Sequence, residues 1–158
     1  MSDPQARLRE LGLTLPAPPA PAASYVPTRV VPLGGGRSLV FVAGQVSSRG
    51  GERLTGRCPD QVSFEQAQDA ARAAALNVLA QLEAAAGLAN VEQVSQVTGF
   101  VLSTDDFGDQ PKVMNAASDL IVDVLGEAGR HTRAALGASA LPFSVTVEIT
   151  AVAVVRKD

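Results

Sequence analysis

The sequence predicts an α+β fold in which one β-sheet carries two long helices on one face. Apolar residues recur at helical spacing over residues 63–86 and 109–125. Regions ending near residues 43, 102 and 155 are rich in β-branched residues, which is typical of strands. The order strand, strand, helix, strand, helix, strand favours a single sheet with both helices on the same side. The chain has 158 residues, 46% of them hydrophobic, which is enough for one such core.

An N-terminal helix and a proline-rich arm are expected over residues 1–24, ahead of a single domain at residues 25–158. Residues 3–12 have the pattern of a short amphipathic helix, with Leu8 and Leu11 on one side. These leucines suggest that the helix docks on the domain or on a neighbouring chain. The extended arm is indicated by its prolines, Pro16, Pro18, Pro19 and Pro21.

A β-hairpin is predicted at the start of the domain. Its strands are Thr28–Leu33 and Ser38–Ala43, and the three consecutive glycines at residues 34–36 provide the turn between them. Residues 47–61 contain several glycine, arginine and serine residues, and we expect them to form a loop.

The first long helix is predicted to start at Ser63, because Ser63 and Gln66 have the spacing of a capping box. It is expected to run to about residue 86 and to end at Gly87. Its buried stripe is predicted to consist of Ala67, Ala71, Ala74, Val78 and Leu82.

A strand, a helix and a strand are predicted in the second half of the chain. The first of these strands lies within Val91–Leu102. The helix is expected to begin at Asp109 and Pro111 and to end before Gly126. The last strand is expected to span residues 144–155. The inward residues of the helix are predicted to be Val113, Ala117, Leu120 and Val124. One face of the last strand is predicted to present Val145, Val147, Ile149, Ala151 and Ala153, and the other Thr146, Glu148 and Thr150.

The second face of the sheet is predicted to bind another copy of the chain. Two helices can cover only one face, and the opposite face carries Val152 and Val154 as well as Glu148. An apolar face of this kind is usually covered by another subunit, so a homo-oligomer is predicted.

The composition argues against several classes of protein. The 13 basic and 16 acidic residues give a net charge of −3, and there is no tryptophan and one tyrosine, which disfavours nucleic-acid binding. One cysteine and one histidine disfavour a disulfide and a metal site. No apolar run is long enough for a bilayer and no secretion signal is evident, so a cytoplasmic location is predicted.

Arg133 and Glu148 are the candidate functional residues. Both stand beside strongly apolar sequence, where a charged group needs a partner or a ligand. Arginine can hold a planar carboxylate with two parallel hydrogen bonds. This part of the sequence therefore indicates a small-molecule site in which Arg133 holds an anion and Glu148 acts on it. From the pattern alone, a surface arginine and a solvated or paired glutamate are the alternatives.

Several short motifs occur in a fixed order along the chain, among them Val42-Ala43-Gly44-Gln45, Arg133 and Val147-Glu148-Ile149. Together they resemble the Rid (reactive intermediate deaminase) family, also called YjgF-like or L-PSP endoribonuclease-like. The resemblance covers roughly residues 25–156, and the arm resembles that of a longer-chain subgroup. The matching residues are Tyr25, Val42-Ala43-Gly44-Gln45, Asn77, Ala84-Ala85-Ala86-Gly87, Asp106-Phe107, Asn115, Arg133, Leu141-Pro142, Val147-Glu148-Ile149 and Ala151-Val152-Ala153.

This resemblance implies a chorismate-mutase-like fold of the bacillary type, assembled as a homotrimeric barrel with clefts between subunits. It also implies hydrolysis of reactive enamines and imines, derived from amino acids, to 2-keto acids and ammonia. Arg133 would hold the substrate carboxylate and Glu148 would position the attacking water. No cofactor is implied, because the imine carbon is already electrophilic.

Other residues of the cleft follow from the same resemblance. Tyr25 and Asn115 would line it, and the backbone around Gly44 and Ala135 would contribute hydrogen bonds to the substrate. His131 matches the Gly-x-His that precedes the arginine in the longer-chain subgroup. It would add a polar group to the pocket or cap the helix end.

The chain departs from the family pattern beside the arginine. Ala43 stands where a serine is usual, and residues 131–135 lack the serine and cysteine that flank the arginine in many members. These differences favour an alternative, a non-catalytic trimer that binds a small carboxylate. A third alternative is the endoribonuclease activity attributed to some members, which the acidic composition disfavours.

Overall fold

A five-stranded mixed sheet forms the centre of the computed structural model, which describes residues 3–157. The strands of the protein are β1 (Thr28–Gly34), β2 (Arg37–Val46), β3 (Ser48–Arg49), β4 (Glu52–Arg53), β5 (Val91–Leu102), β6 (Thr132–Ala138) and β7 (Val147–Arg156). The strand order of the five-stranded sheet is β1-β2-β7-β5-β6, with β5 and β6 parallel and the other neighbours antiparallel.

The two long helices lie on one face of this sheet, which confirms the predicted α+β class. The helices are α1 (Pro4–Glu10), α2 (Phe64–Ala86) and α3 (Gln110–Leu125). The predicted capping box is present, with Gln66 N donating to Ser63 Oγ at 3.1 Å and Ser63 N donating to Gln66 Oε1 at 2.8 Å. Every residue predicted for the inward stripes of the two helices is buried.

Helix α1 is shorter than predicted. It ends at Glu10, and only Leu8 of the two leucines is buried, at 2% exposure, in the same core as the long helices. Leu11 is 37% exposed. The arm that follows is fastened by Gln81 of α2, whose Nε2 donates to the Pro19 carbonyl at 2.7 Å.

Three features differ from the sequence expectations. Strand β6 was not predicted, because its alanines and glycine lack the alternation and bulk that mark strands. The expected loop at residues 47–61 contains the short β3–β4 hairpin. The last strand begins at Val147 rather than at residue 144, because Pro142–Ser144 forms a 3₁₀ turn.

The face of the sheet opposite the helices is open and partly apolar. Strand β7 alternates as predicted, with Val147, Ile149 and Ala151 buried on the helix side. On the open side, Phe41 is 44% exposed and pairs in register with Val152. Within the described residues, no helix is long and apolar enough to cross a membrane.

Candidate active site

Arg133 lies in strand β6, at the edge of the sheet, and its side chain reaches helix α3. One terminal nitrogen donates to Asn115 Oδ1 at 3.1 Å and to Ser118 Oγ at 3.0 Å. The other donates to the Pro111 carbonyl at 3.1 Å. These contacts fix the plane of the guanidinium and leave N–H donors at Nε and at one terminal nitrogen for a ligand.

Close packing of α3 on the sheet makes these contacts geometrically feasible. Gly99 of β5 pairs with Ala135 of β6, and both residues are small. A Cβ on Gly99 would clash with Sδ and Cε of Met114, so the absence of a side chain at Gly99 makes room for Met114 of α3. Ala135 therefore contributes space beside Arg133 as well as a peptide group on the edge strand.

His131 reaches Arg133 through Ser118. Its Nδ1 lies 2.6 Å from the Gly129 carbonyl, and because a carbonyl only accepts, Nδ1 carries the hydrogen. In the neutral ring Nε2 then accepts from Ser118 Oγ at 2.9 Å, while Ser118 Oγ accepts from Arg133. Burial lowers the pKa of the His131 ring, and the charge of Arg133 also lowers it, which favours this neutral form.

Glu148 lies directly over Gly44 on the open face of the sheet. Strands β2 and β7 shift register between Val42 and Gln45, so Gly44 sits in a bulge. A Cβ at Gly44 would lie 2.0 Å from Glu148 Oε1, which shows how closely the carboxylate covers the backbone. Burial raises the pKa of the Glu148 carboxyl, and no neighbouring charge in the described part of the chain offsets this effect.

A cleft of about 1170 Å³ brings Glu148 and Gly44 together with the N-terminal arm. Tyr25 lines this cleft, is 46% exposed, and accepts a hydrogen bond at its hydroxyl from Ala22 N at 3.3 Å. The prolines of the arm form much of one wall. Tyr25, Gly44 and Glu148 thus form one group.

The structure places the predicted site residues in two separate groups within a chain. Arg133 pairs in register with Val97 of β5, and Val97 pairs with Ala151 of β7. Because paired residues share a face of the sheet, Arg133 lies on the helix side with Ala151. Glu148 stands three residues before Ala151 in the same strand and therefore points to the opposite side. Asn115, His131 and Ala135 belong to the Arg133 group. One chain therefore does not bring the guanidinium and the carboxylate together.

Ser118 is a site residue that the sequence analysis missed. It stands three residues after Asn115 on α3, so the two share a helix face, and this spacing was the available signal. Among residues 3–157, no group of three or more His, Cys, Asp or Glu side chains could hold a metal ion.

The variant Gly44→Ala is expected to displace the Glu148 carboxylate by about 1.5 Å, since carbon and oxygen atoms in ordinary contact lie about 3.5 Å apart. The fold should tolerate this change, because the atoms that must move belong to the end of a flexible side chain. Crystallography and thermal unfolding check this expectation. Gly108→Ala is the matched control, since a Cβ there meets nothing within 4 Å. An unmoved carboxylate in Gly44→Ala would contradict the proposed contact.

Comparison with known proteins shows extensive similarity. The family model described as "YjgF/chorismate mutase-like, putative endoribonuclease" matches residues 5–153. Protein TCP17 of Trypanosoma cruzi is 42% identical over 149 residues, which cover 92% of this chain and 90% of that protein.

Solved structures are similar over nearly the whole chain. Atu1372 of Agrobacterium tumefaciens is 42% identical with a TM-score of 0.85, covering 96% of this chain and 92% of that one. TdcF of E. coli, crystallised with bound serine, is 28% identical with a TM-score of 0.62, covering 89% of this chain and 94% of that one.

Proposed function

The chain belongs to the YjgF/chorismate mutase-like family, and we propose that it hydrolyses reactive enamines and imines derived from amino acids, giving 2-keto acids and ammonia. The observation that carries this proposal is the Arg133 guanidinium, held in place by α3 with N–H donors left for a planar anion. A 2-imino acid presents a carboxylate next to its electrophilic carbon. The bound serine of TdcF supports a ligand of amino-acid size.

The proposed site is shared between two chains of a homotrimer. The Arg133 group of one chain faces the Glu148 group of the next, which brings together groups that lie on opposite faces within one chain. Two features support this arrangement. Strand β6 is an edge strand, and the open face around Phe41 and Val152 is apolar. The proposed function also places the protein in the cytoplasm.

The proposed reaction begins with the imine, formed from the enamine by protonation at carbon. Arg133 holds the carboxylate and orients the C=N bond. A water molecule adds to the imine carbon while the Glu148 carboxylate accepts its proton. That proton passes to nitrogen and gives a carbinolamine. A second proton then moves from the carbinolamine hydroxyl to nitrogen by way of Glu148, the C–N bond breaks as the C=O bond forms, and ammonia and the 2-keto acid leave. The protein supplies positioning and a base, so the reaction needs no cofactor.

Wild-type protein is expected to accelerate keto-acid release when a dehydratase or an oxidase generates the imine. Glu148→Gln should lower the rate by about 100-fold or more, because glutamine cannot accept the proton of water. The wild-type rate should rise with pH, and the midpoint of this rise should lie above the ordinary pKa of glutamate, since burial raises the pKa of Glu148. This rise of the rate with pH should be absent in Glu148→Gln.

The same substitution should not destabilise the fold at neutral pH. The raised pKa means that the folded state favours the protonated carboxyl, so the ionised form costs stability above that pKa and the cost disappears as pH falls through it. Thermal unfolding at pH 7 should therefore show an unchanged or higher Tm for Glu148→Gln. Glu127→Gln is the control, since Glu127 is 88% exposed and pairs with Arg130.

The alternatives predict different outcomes of the same assays. A carboxylate that occupies the cleft after a crystal soak, with no turnover of any imine, would indicate a binding trimer, which the absent serine and cysteine beside Arg133 favour. RNA cleavage that is lost in Arg133 or Glu148 variants would indicate an endoribonuclease. A wild-type rate equal to the rate without protein contradicts the deaminase for the imines tested.

A further inference from the structure

The β3–β4 hairpin carries Arg53 into the same cleft as Glu148. Its guanidinium carbon lies 3.7 Å from the centre of the Phe143 ring, and both residues line the cleft. The base of the hairpin is fastened to the start of β7, because Ser47 N donates to the Val147 carbonyl at 2.8 Å and Thr146 N donates to the Leu54 carbonyl at 3.0 Å. Arg53 is therefore attached to an anchored segment.

Phe143 is presented by an unusual backbone. Phe143 and Ser144 have φ values of 57° and 56°, a left-handed conformation that residues with a Cβ rarely adopt. Gly56 N donates to the Ser144 carbonyl at 3.0 Å, and Thr146 Oγ1 donates to the Gly56 carbonyl at 2.9 Å. These bonds hold the turn against the chain that follows Arg53. Strain that the surroundings maintain in this way is characteristic of functional sites.

Arg53 differs from the other arginine of the hairpin. Arg49 is bound by both oxygens of Asp69, at 3.0 and 2.7 Å, so its charge is already paired. Arg53 has no acidic partner among the described residues. A guanidinium stacked on a ring keeps its edge N–H groups free for hydrogen bonds. In a cleft lined largely by prolines, alanines and aromatic rings, it is a ready site for an anion.

We propose that Arg53 and Phe143 form a second anion subsite, which selects amino-acid-derived imines and keto acids that carry a second acidic group at the end of the side chain. This inference rests on the proposed function: Arg133 holds the carboxylate beside the reacting carbon, Glu148 faces that carbon, and Arg53 holds the distal acid. Phe143 fixes the plane of the Arg53 guanidinium. The subsite thus sets specificity and takes no part in the bond changes.

Calorimetric titration of the full-length protein with 2-ketoglutarate, 2-ketobutyrate and phenylpyruvate tests this subsite. Wild type should bind 2-ketoglutarate about 10- to 100-fold more tightly than 2-ketobutyrate, the gain typical of a charge-assisted hydrogen bond. Arg53→Gln should remove this preference while leaving 2-ketobutyrate binding unchanged. Arg53→Lys should restore part of it, because the charge returns without the planar edge.

Two further variants separate the subsite from general effects. Phe143→Leu should weaken the preference for 2-ketoglutarate, because the guanidinium loses its support. Arg72→Gln removes the same charge from an exposed position on α2 and should change nothing. In imine turnover, Arg53→Gln should raise KM for the diacid and leave kcat nearly unchanged.

The outcomes distinguish the two proposals. Three results each overturn the subsite alone, provided that 2-ketobutyrate binds and imines are turned over. These are equal binding of 2-ketoglutarate and 2-ketobutyrate to wild type, tighter binding of phenylpyruvate than of 2-ketoglutarate, and a preference for 2-ketoglutarate that Arg53→Gln keeps. Failure of every keto acid to bind, together with no imine turnover, overturns the proposed function and the subsite with it.

Discussion

Arg133→Ala is expected to lower kcat/KM for imine hydrolysis by about 100-fold, since losing a charge-paired contact of this kind costs about 2–5 kcal/mol. The substrate carboxylate would lose its anchor, and the imine carbon would no longer be held opposite the base. The measurement is keto-acid release from an enzymatically generated imine, at substrate concentrations that allow kcat and KM to be separated. Arg133→Lys should recover little, because a point charge cannot replace the planar pair of donors.

Arg130→Ala is the matched control for this prediction. Arg130 lies three residues earlier, is 70% exposed and pairs with Glu127 at 2.9 Å, so its loss removes a charge but no proposed site contact. Arg133 also ties β6 to α3, and thermal unfolding must therefore accompany the kinetics. Unchanged activity in a folded Arg133→Ala protein would remove the basis of the carboxylate site.

Local signals predicted the helices and most strands well. The capping box at Ser63 and the apolar stripes of the two long helices depend on interactions within a few residues, which the sequence states directly. Alternation in the last strand correctly assigned Glu148 and Ile149 to opposite faces, because a strand has a period of two residues.

Strand β6 and the relation between the site residues could not be predicted in the same way. Residues 132–138 form a strand because β5 offers them a parallel edge, a long-range pairing that their own alanines and glycine do not encode. The sequence identifies Arg133 and Glu148 as candidate functional residues, but their positions on opposite faces of the sheet depend on the pairing of β6 with β5. The two-group site therefore follows from topology, and their joint role remains a prediction.

Val152→Asp is expected to convert the proposed homotrimer into monomers. Val152 and Phe41 are neighbours on the open face, and burial of such a face stabilises an assembly by roughly 25 cal/mol per Å² of apolar area. A carboxylate placed in that contact would be buried without a partner, at a cost of several kcal/mol. Because Val152 faces away from the helices, the monomer itself should stay folded. Light scattering after size exclusion should report about three times the 16.2 kDa chain mass for wild type and a single chain mass for the variant.

Leu11→Asp provides the control, because it makes a similar change at an exposed apolar residue at the end of α1, away from the sheet. This variant should remain trimeric. The Val152→Asp monomer should also lose imine hydrolysis although Arg133 and Glu148 are unchanged, since each cleft of the proposed trimer takes one group from each of two chains. Wild-type protein that is monomeric at micromolar concentration would contradict the trimer. A monomeric Val152→Asp protein with full activity would contradict the shared cleft, because a single chain holds the guanidinium and the carboxylate on opposite faces of its sheet.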